Sequence, residues 1–205
     1  MPDTPFRQLH ASAPEPLPFA PATQIRAFML ERDAGNLLIY AAPAIAALGD
    51  VTRQYLNHWH EAAFGRGRAD APLAVHEADR AATEKSGPVD ETFAGRAVID
   101  GDFELIPIPG HTPGATAFLW RGGEQRVLFT GDSIYLRDGE WVAAVLESSD
   151  RDAYIESLEL IRGLEFDLLL PWAASGEAYS ATTSPAHTRR RIDAIIERLR
   201  RGEDH

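Results

Sequence analysis

The stretch LNHWHEAAFG, residues 56–65, closes an apolar segment, Val51 to Leu56, with two histidines two positions apart, His58 and His60. In an extended strand, side chains two apart point to one face, so both imidazoles would project together and make half of a metal site. On the same alternation Glu61 points away from both histidines if the strand persists. Taken alone, an H-x-H pair more often lies solvated at a surface than binds a metal. Its weight comes from two later stretches: GHTPG, residues 110–114, a rigid loop between two strands, and LFTGD, residues 128–132, an apolar strand ending in Asp132. Functional side chains concentrate on loops held by rigid strands.

Composition limits what such a site can be. The chain has 205 residues, 20 Lys+Arg against 31 Asp+Glu, a formal charge of −11, seven histidines and no cysteine. Without cysteine there is no disulfide framework, no thiolate nucleophile, no zinc ribbon and no cysteine-ligated iron–sulfur cluster. Any metal site must use nitrogen and oxygen. At 44% hydrophobic and 25% charged residues the chain is globular in composition. Its acidity argues against a general nucleic-acid binder, which shows a basic footprint. The arginines at 189–191, 198, 200 and 201 flank the apolar stripe of an amphipathic helix and read as a solvated face. The longest apolar run, Leu37 to Leu48, contains Pro43 and falls short of the ~20 residues that span a bilayer. Residues 1–22 are rich in proline and lack a basic and an apolar export region, so they read as an N-terminal arm ahead of a domain over 23–205, in a cytoplasmic protein.

Around the motifs, the pattern alternates strands and helices. Two apolar runs between Gln24 and Ala42 flank Arg32-Asp33-Ala34-Gly35, a hairpin turn. A short helical turn is expected over Pro43 to Leu48, a strand over Leu73 to Val75, and a helix from about Glu77 to Lys85. Strands follow at Arg96 to Ile99, Phe103 to Ile108, Ala115 to Trp120 and, after a Gly122-Gly123 turn, Val127 to Thr130. Ser149 with Asp152 predicts a capped helix through Arg162, and Phe166 to Leu170 a buried strand. Ser184-Pro185 opens a last helix, whose Ile192, Ile195, Ile196 and Leu199 form one stripe. His76 is expected to be structural, and His10, His187 and His205 solvated.

In this order and at these separations, these stretches resemble the metallo-β-lactamase superfamily, whose fourth marker would fall at LLPWAA, residues 169–174. LNHWHEAAFG aligns with that family's H-x-H-x-D-H marker, with Gly65 at the family's glycine; GHTPG and LFTGD match the next two markers, and LLPWAA stands where the family has P-G-H-G. The resemblance covers roughly Gln24 to Ala174, including the VHEAD stretch at 75–79. It implies an α/β fold, an αββα four-layer sandwich of two mixed β-sheets flanked by helices. It also implies a first metal on His58, His60 and His111, with Asp132 bridging to a second. The second metal's own ligand positions are Ala62, Ala63 and Ala173 here, and the family's L-I-D-x-G support motif reads Leu38-Ile39-Tyr40-Ala41-Ala42.

An alanine methyl cannot coordinate, so the usual two-metal site cannot form. What remains, three imidazoles and one carboxylate, suits one divalent ion. Three histidines plus water make an open site that lowers the water pKa to about 7 and yields a hydroxide nucleophile. The resemblance therefore implies a single-metal hydrolase acting on an ester, thioester, lactone or similar bond, with zinc as the expected ion and iron or manganese as alternatives. Asp132 is then a fourth ligand or the catalytic group that orients the water. Trp59 and Trp172 flank present or lost ligand positions, as an apolar wall or a stacking platform. Two other readings stay open: a degenerate, metal-free member that binds a ligand or partner in the old groove, and an iron enzyme resembling persulfide dioxygenases, using His58, His111 and Asp132. The expected partner is a small-molecule substrate or ligand in the groove between the sheets, with no nucleic acid and no membrane.

Overall fold

Strands buried on both faces organise the fold, and they are the near-continuous apolar runs of the sequence. The computed structural model describes residues 8–122 and 125–204. It divides into two units, Met1–Ala94 and Gly95–His205.

In the first unit the strands are β1 (Leu9–Ala11), β2 (Glu15–Leu17), β3 (Ala20–Ile25), β4 (Phe28–Leu30), β5 (Leu37–Ile39), β6 (Arg53–Tyr55), β7 (Leu73–His76) and β8 (Glu91–Phe93), with the one-turn helix α1 (Arg80–Thr83) between β7 and β8. Six of them form a mixed sheet in the order β1-β4-β5-β6-β7-β8: β1, β4 and β5 pair antiparallel, and β5 through β8 run parallel. The predicted hairpin at 32–35 is β4–β5, with Met29 opposite Leu38. Parallel strands need cover on both faces. Accordingly β5 is buried at all three residues and β7 at Leu73, Ala74 and Val75. The helix expected from Glu77 to Lys85 is a 3₁₀ turn, Glu77–Asp79, running into α1. Strands β1 and β2 lie within the stretch read as an arm, and β2 pairs antiparallel with β3.

The second unit holds β9 (Ala97–Ile99), β10 (Phe103–Pro107), β11 (Thr116–Trp120), β12 (Val127–Gly131), β13 (Tyr135–Arg137), β14 (Glu140–Val142), α2 (Arg151–Arg162), β15 (Leu168–Pro171), β16 (Ala173–Ser175), β17 (Ala181–Thr182) and α3 (Pro185–Arg200). Its sheet order is β17-β15-β12-β11-β10-β9, antiparallel except for the β12–β15 pair. Strands β11 and β12 pair as the expected hairpin, although Gly123 of its predicted turn lies outside the described residues. Ile106, Leu119, Leu128 and Leu169 of the sheet share a core with Leu158 and Ile161 of α2 and with the predicted stripe of α3. Separately, β13 pairs antiparallel with β14 and parallel with β16. That hairpin is missing from the expectations, yet Asp138-Gly139, both at positive φ, is the turn signal that marks it.

Two helix starts sharpen the prediction. Ser184 caps α3 as expected, accepting from the His187 amide. Asp150, not Ser149, caps α2: its Oδ1 accepts from the Ala153 amide at 3.0 Å. Ser149 is taken up elsewhere, as its hydroxyl donates to the His111 carbonyl at 3.1 Å. Among the described residues no helix is long and apolar enough to cross a membrane.

Candidate metal centre

In the first unit, β6 ends at Tyr55, and the chain leaves the strand before reaching the histidines. His60 already has helical angles (φ −60°, ψ −29°), and Glu61–Gly65 forms a π-type turn. The expectation that Glu61 alternates away from His58 fails for that reason. A turn, unlike a strand, returns residue i+3 over residue i, and Glu61 Oε1 lies 3.1 Å from His58 Nδ1 while accepting from the Asn57 amide at 3.0 Å. Asn57 Oδ1 is a second neighbour of Nδ1, also at 3.1 Å. Two oxygens at Nδ1 place its proton there and the ring's lone pair on Nε2. Burial pushes the His58 pKa down to about 3, so the imidazole is neutral at pH 7, the form that ligates metals.

The rest of this loop is pinned from below. The Trp59 amide donates to Asp79 Oδ2 at 3.1 Å, and Asp79 is buried at the end of the 77–79 turn, which gives the VHEAD stretch a structural purpose. Aromatic rings surround His60: Trp59 lies at 3.9 Å and Phe64 stacks at 6.1 Å, between centroids. The His58 and His60 rings are 5.1 Å apart, edge to face. Gly65 is required by contact, since a Cβ there would stand 2.3 Å from the Ala41 carbonyl oxygen. His76 is structural as expected, accepting from the Ala78 amide and meeting the Ala94 carbonyl. His10 meets Glu31, and His205 lies outside the described residues.

In the second unit, His111 sits on the loop between β10 and β11. Its Nδ1 donates to the Ala144 carbonyl at 2.7 Å, which again assigns the lone pair to Nε2. Asp132, half-buried, follows β12, and its main chain is held by a residue that the sequence reading missed. Tyr154 of α2 donates from Oη to the Ser133 carbonyl at 2.8 Å, with the Asp132 carbonyl at 3.3 Å, and accepts from the Ala144 amide at 3.2 Å. One phenol thus ties the Asp132 turn to the segment that carries the His111 acceptor. Burial drives its pKa well up, so it stays a donor. Nothing but a tyrosine on an otherwise apolar helix face hinted at this. Tyr154 also explains Gly110, whose Cβ would meet the Tyr154 backbone at 2.4 Å.

His58, His60 and His111 are each buried, and imidazole nitrogens are donors that could hold a first-row divalent ion. The sequence model of the metallo-beta-lactamase superfamily matches residues 39–173. The chain belongs to that superfamily. Solved structures agree on the fold. An archaeal metallo-beta-lactamase superfamily protein from Sulfolobus tokodaii superposes with a TM-score of 0.65 at 18% identity, over 92% of this chain and 86% of that one. A metallo-beta-lactamase family protein from Thermus thermophilus gives 0.66 at 17%, over 97% and 81%. A subclass B3 metallo-beta-lactamase of Bradyrhizobium japonicum gives 0.59 at 16%, over 87% of each chain. The expected fold class, helices on mixed sheets in the metallo-β-lactamase fold, is the one found. No curated protein sequence matches the chain significantly.

Alanines stand at the three positions where the motif resemblance implies ligands of a second metal. Ala62 packs on a small apolar cluster of Ala41, Leu56, Leu73, Val75 and Val89. Ala173 is a buried residue of β16. Neither those two nor Ala63 offers a donor atom. Tyr40 is fully buried with its ring edge on Phe28 and a φ of 73°.

Proposed function

We propose that this chain is a metal-dependent hydrolase working with a single divalent ion on His58, His60 and His111, with zinc expected and iron or manganese as alternatives. The observation that carries this reading is that Nδ1 of both His58 and His111 faces oxygen acceptors within its own unit, which makes Nε2 the donor atom of each ring. Methyl groups at 62, 63 and 173 limit the site to one ion. A divalent ion so held supplies Lewis acidity and makes a bound water a stronger acid.

The chain's own groups supply the rest. Asp132 is a fourth ligand or the carboxylate that orients the attacking water and takes its proton. Trp59 and Phe64, flanking His60, offer apolar surface to the non-reacting part of a small ester, thioester or lactone. The test is a panel of these three substrate types assayed with zinc, iron or manganese. Hydrolysis that disappears with a chelator, returns with metal, and falls at least about 1000-fold in His111→Ala supports the proposal. Hydrolysis indifferent to chelator and to that substitution overturns it.

The three alanines favour a second reading, a binding protein without catalysis. A metal-loaded chain inert on the whole panel would leave that one standing.

A further inference from the structure

Glu61 is the most deeply buried carboxylate beside the proposed ligands, with 0% of its surface exposed. A buried carboxylate is costly unless something repays its desolvation. The bond from the Asn57 amide would be made equally well by a glutamine, so it does not explain why an acid rather than an amide stands here. The second neighbour of Oε1 does. A carboxylate accepts from an imidazole N–H more strongly than an amide oxygen can, holds the ring in one tautomer and orientation, and raises the basicity of the opposite nitrogen.

The local backbone is built for this contact. The Glu61 amide approaches the His58 carbonyl at 3.4 Å, and the amides of Ala62 and Ala63 both turn back to the Trp59 carbonyl at 3.2 and 3.3 Å. This tight turn, started at His60, brings residue 61 over residue 58. Asn57 Oδ1 adds a second, weaker acceptor on the same Nδ1.

We propose that Glu61 is a positioning residue: its carboxylate fixes His58 as the Nδ1–H tautomer and strengthens Nε2 as a donor to the metal. The proposal rests on the reading of His58 as a ligand, and its test separates the two. In the metal-free protein, ring ¹⁵N shifts of His58 should show Nδ1 protonated and Nε2 bare; a His58 protonated on Nε2 overturns the proposal without any variant. In Glu61→Gln, which keeps the volume and the Asn57 bond, zinc and cobalt(II) affinity measured against a chromophoric chelator should fall about 10- to 100-fold. Stoichiometry should stay at one, the cobalt(II) visible bands should shift, and Glu61→Asp, with its shorter reach, should not rescue. Wild-type affinity and an unchanged cobalt spectrum in Glu61→Gln overturn the positioning role while leaving the metal site intact. A wild-type chain that binds no ion, with His58 still protonated on Nδ1, overturns the metal reading instead.

Discussion

Glu104 is a buried carboxylate through which the stability of the second unit depends on pH. It sits on β10, nearly buried, between Arg96 at 2.6 Å and Arg121 at 2.7 Å. Burial alone would raise its pKa, but the hydrogen bonds and charges of the two arginines outweigh it and hold the carboxyl below its usual range. A group whose folded pKa is depressed stabilises above its unfolded pKa, about 4.3, and loses that contribution as pH falls through the folded value. Glu104→Gln should therefore cost about 1 kcal/mol at pH 7, the arginines being half exposed. Urea titrations should find that difference intact down to about pH 5 and shrinking below it. A difference that persists unchanged at pH 3 assigns it to packing instead. At this same scale the sequence singled out the histidines and was silent on what holds them. The H-x-H spacing named His58 and His60, but alternation along a strand put Glu61 on the wrong side, because nothing in the letters says that β6 stops at Tyr55.

Among the elements, α2 carries more than its amphipathic pattern requires. Its apolar residues join the core, while Tyr154 reaches the Asp132 and Ser133 carbonyls and the Ala144 amide. Tyr154→Phe removes the donor from these buried carbonyls, and should lower unfolding stability by about 1–3 kcal/mol. If the tie positions the His111 acceptor, metal affinity should drop as well at unchanged stoichiometry; a purely structural Tyr154 would alter the urea midpoint alone. Elements were readable where local chemistry and tertiary context agree. The Arg32–Gly35 turn gave β4–β5, and Ser184-Pro185 gave the start of α3. They were misread where two residues compete for one role: Ser149 and Asp150 are both good caps, and only the His111 carbonyl, remote in sequence, decides that Ser149 is elsewhere. The arginines of α3 show the same limit, since Arg191 and Arg198 donate to the carbonyls of Gly139 and Trp141 rather than only facing water.

For the whole molecule, motif order sufficed for the fold, since four stretches spread over more than a hundred residues constrain topology far more than any one of them. The absence of cysteine restricts donors to imidazole and carboxylate, and the −11 charge does not select a substrate. One metal ion on three histidines, as proposed, would be read directly from the metal content of the purified chain. Protein purified without chelator, equilibrated with zinc and desalted, should carry close to one ion per chain by mass spectrometry, and close to none when His58 and His111 are both replaced by alanine. Two ions per chain, none, or one that survives the double replacement would contradict it.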